Sequence, residues 1–279
     1  MTLQFSPGKK PMPKLLTSLL LLALTSLLSA QEPSGRIDAA ALFEKGMNGI
    51  LGSGYSRTDL TALEYFRNSA DLGYAPAQVV MGYFAETGLL RPQDFHEAVT
   101  WYAKAAKQDD PLAEWVLGRC YFTGDGELRD LSEAEKLLQK AANAGSPFGM
   151  YLLGEVKLQR QDYVSAVKWF RPASEQGLPQ AQKQLGLLLK QGRGVPEDKP
   201  QAYMWLLLSF EAGNKSVGDD VKQLEAELGS NLIEQLKTKA RHLQDTASRS
   251  VAAHGCTGWP GEFDDIPTTP PPDLQRFCR

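Results

Sequence analysis

Cysteine, histidine and net charge are all scarce in this chain, and each scarcity removes a class of function. Among 279 residues there are three cysteines, Cys120, Cys256 and Cys278. That is too few for a multi-disulfide framework or a cysteine-rich metal centre. The three histidines, His96, His242 and His254, are scattered, and none stands at metal-ligand spacing from a second histidine or cysteine. No metal or cofactor is therefore expected. The formal charge is −3 with no basic run, a poor basis for gripping nucleic acid or an anionic membrane surface. The apolar run Leu15 to Leu28 is shorter than the roughly 20 residues a membrane span needs.

That run is still informative. Lys9, Lys10 and Lys14 precede it and the small residues Ser29 and Ala30 follow. A basic head, an apolar middle and a small-residue end make the pattern of a secretory signal over residues 1–30, cut after Ala30. Leu28 fits the small-x-small cleavage pattern imperfectly, and an uncleaved anchor is the other reading. Met12 offers a more compact start. No cysteine follows the run, which argues against a lipid anchor. Removing residues 1–30 leaves 27 basic and 33 acidic side chains, a formal charge of −6.

The most informative positive feature is periodic. Gly46, Gly82, Gly118, Gly154 and Gly186 follow one another at intervals of 36, 36, 36 and 32 residues. Ala62, Ala98, Ala134, Ala166 and Ala202 keep the same beat. A fixed period of this length marks a solenoid of stacked helix pairs. The expected class is all-α: an α/α superhelical solenoid, right-handed, of about five helix pairs over residues 39–74, 75–110, 111–146, 147–178 and 179–214. Each repeat glycine falls mid-helix, where it costs about 1 kcal/mol against alanine, and close approach of the facing helix is the compensation. Trp101, Trp169 and Trp205 recur at one position and read as structural. The fourth copy lacks the Gly-x-Gly connector, which predicts a changed twist or an opened edge there.

Residues 215–247 have helical apolar spacing, interrupted at Gly229-Ser230, with Ser230 as amino cap of a second helix. This predicts a terminal helical cap. Residues 248–279 form an irregular Pro-rich tail in which Cys256 and Cys278 are expected to pair, worth about 3 kcal/mol in the chain-entropy model. Cys120 falls at a repeat position held elsewhere by Phe84, Val156 and Leu188, so it reads as a small buried hydrophobe.

Leu185-Gly186, Gly192-x-Gly194-Val195 and Asp198, with Trp101-Tyr102 and Ala105-Ala106, resemble the Sel-one-like repeat (SLR) family, relatives of the tetratricopeptide repeats. The resemblance covers about residues 39–214. It implies a non-enzymatic scaffold or adaptor, here exported to the periplasm or secreted, that binds a protein or peptide partner on its concave face. Cysteine-rich family members described as penicillin-binding or β-lactamase-like suggest an enzyme as the alternative, but they carry a cysteine pair in every repeat and this chain does not. A peptidoglycan- or glycan-binding module is a further alternative, since aromatics stack on sugars.

Three local features invite chemistry. Ser165-Ala-Val-Lys168 spells Ser-x-x-Lys, yet Ala166 and Trp169 inside it are repeat residues and the companion motifs of that enzyme class are missing. Asp125-Gly126-Glu127 is a fragment of a calcium loop without its other ligands. Asn214-Lys-Ser216 is a glycosylation sequon. The candidate partner-binding residues lie in a row beside the repeat glycines: Phe43, Val79, Trp115 and Tyr151 three residues before, Tyr83 and Arg119 one after. Lys183, Met47, Glu155 and Leu187 complete the row. Aromatics and arginine are the residues that anchor interfaces, but neighbouring repeats could also bury the row between them.

Overall fold

The computed structural model describes residues 38–53, 60–88 and 91–254. The signal-like segment, Gly54, Leu90, Cys256, Cys278 and the tail from residue 255 lie outside them. The described residues form twelve α-helices and one short 3-10 turn, with no strand among them.

Five hairpins come first. In chain order they are α1 (Ala39–Ser53) with α2 (Leu60–Asp71), α3 (Ala75–Thr87) with α4 (Phe95–Ala106), and α5 (Pro111–Thr123) with α6 (Leu131–Asn143). Then come α7 (Pro147–Gln159) with α8 (Tyr163–Glu175), and α9 (Pro179–Gln191) with α10 (Lys199–Glu211). Each helix packs on the one before it and the one after it. The core is therefore a continuous strip between neighbours, as in a solenoid.

The repeat glycines explain how each hairpin closes. A methyl group placed on Gly118 would sit 2.8 Å from Leu138, and one on Gly186 would sit 2.7 Å from Leu206. Phe66, Tyr102 and Phe170 press in the same way on Gly46, Gly82 and Gly154. All five of these large side chains stand four residues after the repeat alanine, hence on its face of the second helix. The five alanines themselves are fully buried. Trp101 and Trp205 are buried beside this seam and Trp169 is half-buried. The residue over each glycine is thus the one after the tryptophan position.

Helix starts are equally regular. Asp94, Asp130, Asp162 and Asp198 precede the second helices of their hairpins and accept bonds from Glu97, Glu133, Ser165 and Gln201 backbone N–H groups at 2.8–3.1 Å. The aspartate of the repeat motif is therefore a helix cap. Pro111, Pro147 and Pro179 open first helices, where no donor is needed.

The fourth hairpin stays paired without its long connector. The N–H of Asp130 donates to the Tyr121 carbonyl at 2.9 Å, and that of Asp198 to the Leu189 carbonyl at 3.0 Å. In the short connector Asp162 N–H donates instead to the Lys157 carbonyl at 2.9 Å, with Gln161 in a left-handed conformation. Elsewhere the connector covers the preceding repeat: Gly126, with φ of +77°, lies against the Phe95 backbone, and Gly194, with φ of +73°, against that of Tyr163. The fourth repeat has no such flap. Arg160 reaches Glu135 and, at 3.4 Å, Ser132 on α6 in its place. Leu128, in the connector of the third repeat, is left 89% exposed.

The terminal cap differs from expectation. After the turn Lys215–Val217 come α11 (Gly218–Leu228) and α12 (Ser230–His254). Ser230 is the first residue inside α12, and Gly229 takes the cap position, its carbonyl accepting from Ile233 N–H at 3.1 Å. The second helix is also longer than a matching hairpin arm, at 25 residues. Ile233, Leu236, Ala240 and Ala247 are buried and Leu243 is partly buried, alternating three and four apart along one face. That face lies on α10 and α11. Ala247 ends beside Gly177, the turn after α8, where an added methyl would lie 3.2 Å away. So α12 doubles back to clasp the fifth repeat and reach the fourth.

Candidate functional site

At the seam between the third and fourth repeats the first helices, α5 and α7, touch directly, and the second helices α6 and α8 are set less closely. The first-helix side is accordingly the inner wall of the curve there. The row named from sequence runs along this wall, and its fate changes along the molecule.

In the first three repeats the row is interior. Phe43 is 0% exposed, Val79 1%, and Tyr83 and Trp115 5% each. Phe43 meets Phe66 and Tyr74 edge-on, and Trp115 stacks on Phe148 at 5.3 Å. These side chains are covered by their own neighbours, so as partner-contacting residues they are corrected to core residues. Only half the circumference of a first helix is needed for its own hairpin, and the adjacent repeat takes the rest. Arg119 is half-buried and already engaged: its guanidinium pairs with Glu86 of the preceding repeat, and Tyr102 donates to the same carboxylate at 2.6 Å. Burial opposes the Arg119 charge, but Glu86 outweighs it and holds the proton more tightly than usual. Burial, then Glu86, pushes the Tyr102 phenol well up. Burial raises the adjacent Cys120 thiol to about 11, which leaves it inert at neutral pH.

From the fourth repeat the wall opens. Tyr151, Glu155, Lys183 and Leu187 are only half-buried, as are Phe122 and Leu158 one turn further along α5 and α7. Lys183 donates to Ser216 at 3.0 Å and Lys190 pairs with Asp220 at 2.7 Å, both tying α9 to the cap segment. Among the described residues Glu155 is paired with no cation, and its Oε1 is buried without a hydrogen-bond partner. Burial raises its carboxyl to about 7, against the opposing pull of Gln184 and Lys183. Sequence reasoning placed Glu155 in the row but not its isolation, which depends on what α9 brings across.

The other sequence features sit in repeat geometry. Ser165 is in the first turn of α8 under the Asp162 cap, and Lys168 lies 5.9 Å from the Trp169 ring. Asp125 accepts from the Thr123 hydroxyl at 2.7 Å inside the third connector. His96 lies 3.4 Å from the Gly126 carbonyl. Asn214 is buried and accepts from Ser216 at 2.7 Å. Among the described residues no three His, Cys, Asp or Glu side chains gather as metal ligands, and no helix is long and apolar enough to cross a membrane.

This geometry defines a class first: an α-solenoid of helical hairpins whose inner wall is half closed. The Sel1 repeat profile matches residues 46–74, 75–110, 111–146, 147–178 and 179–214, more than half of the chain, and the protein belongs to the Sel1 repeat family. Among its relatives is chitin synthase regulatory factor 3 of Schizosaccharomyces pombe, 35% identical over 139 residues. The match takes in 47% of this chain but only 15% of that relative's length. A solved protective antigen of uropathogenic Escherichia coli, described as displaying an SLR fold, superposes with a TM-score of 0.70 and 26% identity, covering 88% of this chain and 52% of that one. A Sel1 repeat protein from Oxalobacter formigenes superposes with a TM-score of 0.64 and 25% identity, covering 84% and 96%. Proteins of this family generally serve as protein-interaction scaffolds, and its solenoids are typically non-catalytic.

Proposed function

We propose that the protein is an exported scaffold that holds a protein or peptide partner against the inner wall of its third to fifth repeats. The observation that carries this reading is the half-open stripe of Phe122, Tyr151, Leu158 and Leu187, apolar or aromatic side chains that α5, α7 and α9 leave partly uncovered. Aromatic and aliphatic groups of this kind, fixed on rigid helices, supply contact area at low ordering cost. The relative named as a chitin synthase regulatory factor fits the same mode of action, one protein acting on another. The basic, apolar and small-residue order of residues 1–30 supports export.

The test is photo-crosslinking in living cells from positions 151 and 187, with position 168 on α8 as an outer-wall control. A discrete adduct from the inner positions alone is expected. Adducts only from position 168, or none from 151 and 187, would refute inner-wall binding. Amino-terminal sequencing of the protein recovered from cells checks export, and a chain that retains residues 1–30 in the cytoplasm would sink it.

A further inference from the structure

Two seams of the inner wall hold a half-buried carboxylate, and they are built differently. Between the second and third repeats, Glu86 receives both Arg119 and Tyr102. Between the fourth and fifth, Glu155 occupies the same register position as Arg119, one residue after the repeat glycine. Among the described residues no cation pairs with it. Gln184 on α9 hydrogen-bonds one side of the carboxyl and Lys183 acts on it through space, while the Lys183 ammonium donates to Ser216 at 3.0 Å. Lys157 and Arg160 on its own helix turn to Glu135 on α6. Arg119 on α5 is held by Glu86, Lys168 on α8 lies toward Trp169, and Lys190 on α9 is held by Asp220. Tyr151, one turn before it, is a half-buried phenol whose own ionisation is made harder by loss of solvent and then by Glu155.

A carboxylate oxygen without a donor is costly to bury, whereas the neutral acid is much less so. We propose that Glu155 is a proton-linked latch: the seam between the fourth and fifth repeats closes on the protonated carboxyl and loosens when that carboxyl ionises. The latch acts where the inner wall is half open, so proton uptake would tighten the surface on which Tyr151 and Leu187 stand. This seam mechanism holds whether or not that surface is the partner's site.

The direction follows from linkage. The folded-state value is about 7 and the ordinary carboxyl value is 4.5. The folded chain therefore keeps this proton over that interval while the unfolded chain releases it. The stabilisation is complete below the ordinary value and is lost as pH rises through neutrality. Full expression of the difference is worth on the order of a hundredfold in the folding equilibrium between acid and mildly alkaline solution.

The experiment is urea unfolding of the full chain across this pH range, for the parent and Glu155→Gln. The parent should lose stability on alkalinisation with a slope of about one proton, and the amide variant should lose that component. Hydrogen exchange, corrected for its intrinsic pH dependence, should speed up in α7 and α9 of the parent only. Equal slopes in the two chains, or exchange that rises evenly through all five repeats, would overturn the latch. A carbon-13 titration of the Glu155 carboxyl in the parent stands independently of whether the variant folds. A midpoint near neutrality supports the proposal, and one in the ordinary carboxyl range refutes it.

Discussion

The two halves of the inner wall begin from the same repeat pattern and end differently. In the amino-terminal half, Phe43, Val79, Tyr83 and Trp115 fill the inter-repeat space, and the half-buried charges on the wall are matched: Glu86 with Arg119 and Tyr102. In the carboxy-terminal half, Tyr151, Glu155, Lys183 and Leu187 at those positions leave the wall partly open, and Glu155 has no counter-charge in contact among the described residues. The cap also takes part: Ser216 in the turn before α11 engages Lys183, Asp220 of α11 engages Lys190, and Ala247 of α12 packs on the turn after α8. A repeat therefore sets where a side chain points, and its neighbours set whether that side chain is core, ion pair or surface.

Substitutions can break this contrast in order of size. Trp115→Ala should cost about 3–5 kcal/mol in urea unfolding, because it empties a buried, stacked site, whereas Tyr151→Ala should cost much less and chiefly reduce partner crosslinking. If Tyr151→Ala unfolds the chain as readily as Trp115→Ala, the wall is not half open. Arg119→Met should cost about 3 kcal/mol at neutral pH, since it strands Glu86 beside a buried phenol. Glu155→Gln should have the opposite sign, a gain of about 2–3 kcal/mol at pH 8 that fades towards pH 5. Two losses in place of one loss and one gain would erase the electrostatic difference between the seams.

Gly82→Ala should cost about 2–3 kcal/mol through overpacking against Tyr102, and Gly186→Ala a similar amount against Leu206. Equal effects at the two sites would show that hairpin closure, unlike the inner wall, is uniform along the molecule. The smallest effect belongs to Ser209→Ala, about 1 kcal/mol, because the buried Ser209 hydroxyl donates to the Pro179 carbonyl at 2.7 Å. The first repeat repeats this device, with Ser69 donating to the Ala39 carbonyl at 2.5 Å. Ser209 stands where the second and third repeats carry Ala105 and Ala141, and this bond is the local reason for a serine there.

Spacing alone was enough to read the hairpins. The glycine and alanine beats, the capping aspartates and the connector glycines all depend on contacts within one repeat or with its immediate neighbour, and such contacts recur with the chain's own period. The large residue four positions after each repeat alanine follows the same period, one place beyond the tryptophan position. The partner row was harder to interpret. Phe43, Val79, Tyr83 and Trp115 have the composition of a binding surface, and that same composition fills a core.

Length, periodicity and local chemistry were thus sufficient to specify an all-helical stack of five hairpins, because short-range helix contacts write themselves into the chain at regular intervals. The isolation of Glu155, the fold-back of α12 onto the turn at Gly177 and the change from closed to open wall had no such trace. Each depends on which groups distant segments bring, or fail to bring, to the same place, and on the solvent that their packing shuts out.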